Sequence, residues 1–198
     1  MPYFGFDDLV GVETDRIYLK ILFSRYEKSG RVVRLKRGMY VAKEYLDNLE
    51  KKGRLSAYLE LISNILYEPC YLSLDYVLYK HNLLTEIPIN FTLISTRKTK
   101  TFANVLGRFF YHKIKKNLFR GFTATHKEGD FMILEATKAK ALFDFLYFRK
   151  NFLSGKESVE ELRLNLADFT AKDKAELLSY AKTEKTKKMK VIINHLFT

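Results

Sequence analysis

Nine Lys or Arg residues crowd the stretch from Arg16 to Lys43 against a single acid, Glu27, so this stretch holds net +8 of the chain's +12. Cations at that density hold polyanions: each neutralised phosphate releases a condensed counterion, and a guanidinium can grip a phosphate or a guanine edge at two points. Arg16, Lys20 and Ser24 are spaced to reach base edges or nearby phosphates from one helix face, with Arg25 at its edge and Lys28 and Arg31 at its far end. Arg34, Lys36 and Arg37 lie on a following turn suited to phosphates or a minor groove. Double-stranded DNA is the expected partner, and six phosphate contacts would give a slope of log K against log salt of roughly −5.

A second basic block comprises Arg97, Lys98, Lys100, Arg108, Lys113, Lys115, Lys116 and Arg120, with no acid between Glu86 and Glu128. It is interleaved with Phe102, Phe109, Phe110, Tyr111 and Phe119, which suits either a nucleic-acid platform or the inner face of a sheet. Contact with an RNA or with an acidic protein surface would use the same charges. Lys182 to Lys190 is either a third contact or a solvated helix end.

Catalytic chemistry finds little support. Glu128, Asp130, Glu135 and Lys138 supply the carboxylates and lysine of a metal-dependent nuclease centre, but one residue too many separates Glu135 from Lys138 and no earlier Pro-Asp supplies the partner. His81, His112, His126 and His195 are far apart, with no Cys or acid at ligand spacing, so no metal is expected. Gly107 and Gly121 are isolated glycines and make no phosphate loop, and Cys70 is the only cysteine, a core residue by composition. No cofactor and no enzymatic activity are expected.

The elements that would position the cations follow from periodicity. Tyr18, Leu19, Leu22, Phe23 and Tyr26 share one face of a helix running roughly from 15 to 29, started by Thr14 or Asp15 and stopped by Gly30. Ile17 and Ile21 fall on the outward face, either touching thymine methyls or packing on Phe6-Asp7-Asp8-Leu9, itself read as part of a short helix. Val32 to Leu35 and Met39 to Val41 form a hairpin around Gly38. Helix plus hairpin is the second half of a winged helix-turn-helix; the alternative is a solvated amphipathic helix beside an ordinary hairpin.

Helices are expected over 43–52, closed by Gly53, over 54–67, and from a Ser73 cap to about 82. From Asn90 the pattern alternates, giving strands over 91–96, 101–106 and 108–114 and a hairpin of 122–125 with 131–135, a small and mostly antiparallel sheet. Helices return over 137–150 behind a Thr137 cap, over 158–165 with a Ser158–Glu161 capping pair, and over 173–181 and 189–196. The class is α+β: an N-terminal winged helix over 1–52 and a mixed α+β domain over 53–198, although no Pro- or Ser-rich linker marks the boundary.

With 198 residues, 47% hydrophobic and 15% aromatic, the chain has ample material for a core. No apolar run approaches the roughly 20 residues of a membrane span, and the N-terminus lacks a secretory layout, so a cytoplasmic location is expected. A pI near 9.6 points to nucleic acid first, an acidic protein second and an anionic membrane third.

Four stretches together resemble the AbiEi family of abortive-infection antitoxins of type IV toxin–antitoxin systems: YLKILFSRYEKSGRVVRLKRGMYV at 18–41, YEPCYLSLDYVLYKHNLL at 67–84, IPINFTLIST at 87–96 and FMILEATKAKALFDFL at 131–146. The resemblance spans roughly 18–148; its most specific part is the RLKRGMYV hairpin combined with YLSLDYVLYKH. It implies a winged helix that represses its own promoter at inverted repeats, and a C-terminal domain opposing a nucleotidyltransferase-like toxin without a stable complex. The other reading is a winged-helix regulator whose second domain dimerises or senses a ligand, with no toxin to oppose.

Overall fold

A computed structural model describes residues 1–9, 11, 13, 15–127 and 130–197. Thr14, offered as a helix cap, and Glu128, offered as a nuclease carboxylate, lie outside the described residues. The chain is α+β, with eight α-helices and two sheets among those residues.

The first sheet has three strands, β1 (Phe4–Gly5), β2 (Val32–Lys36) and β3 (Met39–Ala42), in the order β1-β3-β2, all antiparallel. Helix α1 (Arg16–Lys28) begins where Asp15 accepts from the backbone N–H groups of Ile17 and Tyr18, and it ends before Gly30 at φ +71°. Leu19 and Phe23 bury against Val32 and Tyr40, and the Phe23 and Tyr40 rings stack with centroids 4.7 Å apart. Phe4, Phe6, Leu9 and Tyr26 complete this small core. Each fully buried apolar side chain there contributes about 1.5–3 kcal/mol.

Sequence periodicity made the packed face of α1 too wide. Tyr18 is 49% exposed, because a three-stranded sheet is too narrow to cover a full apolar stripe. Ile17 and Ile21 are exposed as well, at 70% and 48%. The Asp7–Leu9 segment is a single 3₁₀ turn preceded by β1 rather than a short α-helix. Gly5 is what brings β1 close, since a Cβ there would stand 2.8 Å from the Gly38 carbonyl.

Helices α2 (Lys43–Lys51) and α3 (Leu55–Leu66) follow, separated by Gly53 at φ +68°. The second sheet has six strands: β4 (Cys70–Leu72), β5 (Phe91–Ser95), β6 (Lys100–Asn104), β7 (Gly107–Lys113), β8 (Phe122–Lys127) and β9 (Phe131–Ala136). Their order is β6-β7-β5-β4-β9-β8, with β4–β9 and β5–β7 parallel and the other pairs antiparallel. The sheet is therefore mixed, larger than the small, mostly antiparallel one expected. Strand β4 escaped expectation because all of its residues are buried, leaving no alternation to read.

Helix α3 lies on one face of this sheet, where Tyr111 donates to the Ser63 carbonyl and the Asn64 amide exchanges hydrogen bonds with the Leu134 main chain. Helices α4 (Leu74–Lys80) and α5 (Lys138–Arg149) run together, and Phe148 of α5 meets His112 on the opposite face of β7. Helices α6 (Lys156–Glu160), α7 (Ala171–Glu184) and α8 (Lys187–Leu196) pack outside α5. Thr137 caps α5 as expected, but two other caps differ. The Ser73 hydroxyl turns inward to Asp144 instead of capping α4, and Ser158 pairs with the Gly155 backbone to start α6 before the expected position.

The main core crosses the boundary expected at residue 52: Leu35, Val41, Leu46 and Leu49 share it with Tyr58, Ile62 and the six-stranded sheet. The β2–β3 hairpin is thus covered on both faces, by α1 on the side of Val32 and Tyr40 and by the main core on the side of Leu35 and Val41. Among the described residues no helix is long and apolar enough to cross a membrane.

Candidate nucleic-acid interface

The turn Arg37-Gly38 joins β2 to β3, with Gly38 at φ +77°, a conformation that costs a side-chain-bearing residue strain. A register shift between Arg34 and Lys36 breaks simple alternation in β2 and sends neighbouring cations to different places. Arg34, opposite Tyr40, faces α1; Lys36 turns towards the main core.

Lys20 and Ser24 from α1 meet Arg34 and Arg37 from the hairpin around one open cleft of about 340 Å³, floored by Phe6 and Tyr40. Glu27 is the acid on its rim. A cleft with cations on both walls and a hydroxyl between them can hold phosphate oxygens by charge-assisted hydrogen bonds. These four residues are brought together; the other expected contacts are not all with them.

Arg16 is exposed and pairs with Asp7 at 2.6 Å, which ties the start of α1 to the 3₁₀ turn. Arg25 and Lys28 are exposed on α1 outside the cleft. Arg31 rests over the Tyr26 ring and faces a separate hollow shared with Glu44 and Asp47, a mixed-charge setting.

Lys36 requires a correction. Its ammonium donates to the Leu66 carbonyl at 3.0 Å and the Ile65 carbonyl at 3.4 Å, at the end of α3. Burial lowers its pKa, with neighbouring Arg97 and Lys100 acting in the same direction against Glu68. Lys36 is a helix-end anchor for the last unpaired carbonyls of α3, not a free phosphate ligand.

The second basic block is exposed at every cation but does not form one array. Arg97 donates to the Glu68 carbonyl and covers the Tyr67 ring, and Lys100 stands over Tyr67 and Phe102. Lys98 and Lys113 lie at the same end of the sheet, where the Lys113 N–H meets Thr99. Arg108 leaves the opposite face of β7 from buried Phe109, and Arg120 is bound to Thr183 and Tyr180 on α7. Of the interleaved aromatics, Phe109 and Tyr111 are buried and Phe102, Phe110 and Phe119 are half-buried, so they serve the core rather than base stacking.

The proposed nuclease cluster is dispersed among other partners. Glu135 is ion-paired with Lys80, which also bonds Glu60 at 2.9 Å, while Lys138 bonds Asp173 at 3.0 Å. Among the described residues no group of three or more His, Cys, Asp or Glu side chains could hold a metal ion. Burial pushes the Cys70 thiol up to about 12, which suppresses the reactive thiolate.

Sequence reasoning missed a buried polar centre. Lys140 and Asp144, both without solvent contact, are ion-paired inside the main core, and Asp144 also accepts from Ser73 at 2.8 Å and Tyr71 at 3.1 Å. Burial drives Lys140 down and Asp144 up from their usual values, each towards neutrality. The signal was present: a lysine and an aspartate four apart on the apolar side of α5. No protein-family model matches the chain, and no curated protein matches its sequence.

Proposed function

We propose that this chain is a DNA-binding regulator of the AbiEi antitoxin type, which represses its own operon through α1 and the β2–β3 hairpin while its larger part opposes a nucleotidyltransferase-like toxin. The observation that carries the DNA-binding half is the convergence of Lys20, Ser24, Arg34 and Arg37 on one open cleft. Lys20 and Ser24 on the helix, and Arg34 and Arg37 10 to 17 positions later on the next element, focus positive potential and a hydroxyl on one hollow, the arrangement that an anionic ligand requires. In this reading α1 enters a major groove and Arg34 and Arg37 grip the flanking backbone. The exposed Ile17 and Ile21 then meet thymine methyls.

In this reading the unit is a winged helix in which, among the described residues, strand β1 and the Asp7–Leu9 turn lead into α1. Its hairpin is seated on the main core, so the larger part of the chain fixes the orientation of the DNA contacts. The antitoxin half rests on the four resembling stretches alone. No catalytic step is assigned, and cytoplasmic action follows from the DNA target.

The test is a gel shift of the purified chain on DNA from upstream of its own coding sequence, repeated with Arg37→Glu. Binding that weakens steeply with salt and falls at least tenfold in the variant supports the reading; unchanged affinity and salt slope overturn it. Co-expression with the neighbouring nucleotidyltransferase, where one is encoded, tests neutralisation: relief of growth arrest is expected.

A further inference from the structure

The two basic blocks, distant in sequence, meet in space. Strand β6 is the end strand of the six-stranded sheet, and β2 of the hairpin lies against it, fixed by the Asn104 side-chain amide donating to the Leu35 carbonyl at 2.9 Å. Between them runs an open groove of about 610 Å³ with Arg34 and Arg37 on one wall and Phe102 to Val105 on the other. Lys36 bonds the Leu66 carbonyl, and Arg97 and Lys100 both stand over the ring of the next residue, Tyr67. Cations therefore continue from the α1–hairpin cleft, past Lys36, to Arg97 and Lys100 at the far end of β6.

We infer that Arg97, Lys98 and Lys100 extend the DNA-binding surface, contacting the backbone of the same duplex that the cleft of Lys20, Ser24, Arg34 and Arg37 engages. The inference rests on the proposed DNA-binding role and adds a length of contact that a winged helix alone does not have. Backbone contact is favoured over base stacking because the aromatic faces here are already occupied. Arg97 stands 4.3 Å from the Tyr67 centroid, Lys100 stands 4.6 Å from the Phe102 centroid, and Phe109 and Tyr111 are buried. A single strand would find no free ring to stack on, whereas a duplex needs only cations. Lys98 has the freest ammonium of the three, exposed with its side chain unpaired among the described residues.

Fluorescence anisotropy of the full chain with a mixed-sequence duplex of about three helical turns, across a salt series, tests this. The variants are Arg34→Gln with Arg37→Gln, Lys98→Gln with Lys100→Gln, and all four together; Lys98→Arg with Lys100→Arg serves as the charge-preserving control. The expected result is a salt slope reduced by about two for each neutralised pair and about four for the combination, one saturating event, and a wild-type slope in the control. A wild-type slope for the Lys98 and Lys100 pair, or a second independent binding event, overturns the inference. If that pair instead weakens only a hairpin RNA, the surface is an RNA site and the inference is equally overturned. If the Arg34 and Arg37 pair alone leaves the slope unchanged, the failure belongs to the cleft reading. Lys98→Gln alone, which removes no intramolecular bond, gives a slope change of about one even where the double variant unfolds.

Discussion

Lys140 and Asp144 form an ion pair one turn apart on α5, and neither side chain reaches solvent. Tyr71 and Ser73 donate to the same carboxylate, which joins the end of β4 to α5. Removing one partner of a buried pair leaves the other charge uncompensated, at a cost of about 3–5 kcal/mol. Lys140→Met is therefore expected to lower unfolding free energy by about that amount, measured by urea denaturation. A loss under about 1 kcal/mol would show that the network contributes little to stability.

Lys36 and Arg37 are adjacent but serve different ends. Lys36→Met removes charge-assisted bonds to the Ile65 and Leu66 carbonyls and is expected to cost about 1–2 kcal/mol of stability. Arg37→Gln, at an exposed tip, is expected to leave stability within about 0.5 kcal/mol and to reduce the salt slope of DNA binding by about one. Parallel denaturation and anisotropy measurements separate the two roles.

Gly121 has φ +81°, and a Cβ there would fall 1.9 Å from the Tyr180 hydroxyl and 2.6 Å from its Cζ. Strain and overpacking act together, so Gly121→Ala is expected to destabilise by about 2–5 kcal/mol. A thermal melt reads this directly, and Gly11→Ala, with open space around the added carbon, is the control expected to change little.

His81 and His112 have pKa values lowered by burial, which outweighs Glu135 near the first and Asp75 near the second. A depressed folded value means that the unfolded chain takes up protons first as pH falls below about 6.5, so stability present at neutral pH declines on acidification. His81→Gln with His112→Gln should flatten the dependence of stability on pH between about 7 and 5, each histidine accounting for less than one proton's worth of slope. Urea titrations at stepped pH measure it, and an equally steep decline in the variant would assign the acid sensitivity elsewhere.

Local chemistry made much of the fold legible. Asp15 and Gly30 bracketed α1, Gly53 separated α2 from α3, and alternation found β5 to β9 within a few residues. What failed had non-local causes. The packed width of α1 depends on how many strands lie beneath it, and β4 depends on being covered from both sides. In the candidate site, composition found the cations but not their partners. Lys36 looks like its neighbours in sequence; only the approach of α3, 29 residues later, turns it inward. Asn104 carries no sequence signal for its bond to Leu35, yet that bond brings the two basic blocks side by side.

That same amide stitch has a consequence for solubility. The outermost strand of a sheet is a ready template for pairing with another molecule, and β6 occupies that position here. The hairpin that carries Arg34 and Arg37 stands beside it across an open groove and is tied to it through Asn104, so it obstructs the approach of a further strand at that end. A truncation that deleted the hairpin would bare that template as well as remove cations, so such fragments should precipitate rather than behave as a tidy, non-binding remainder.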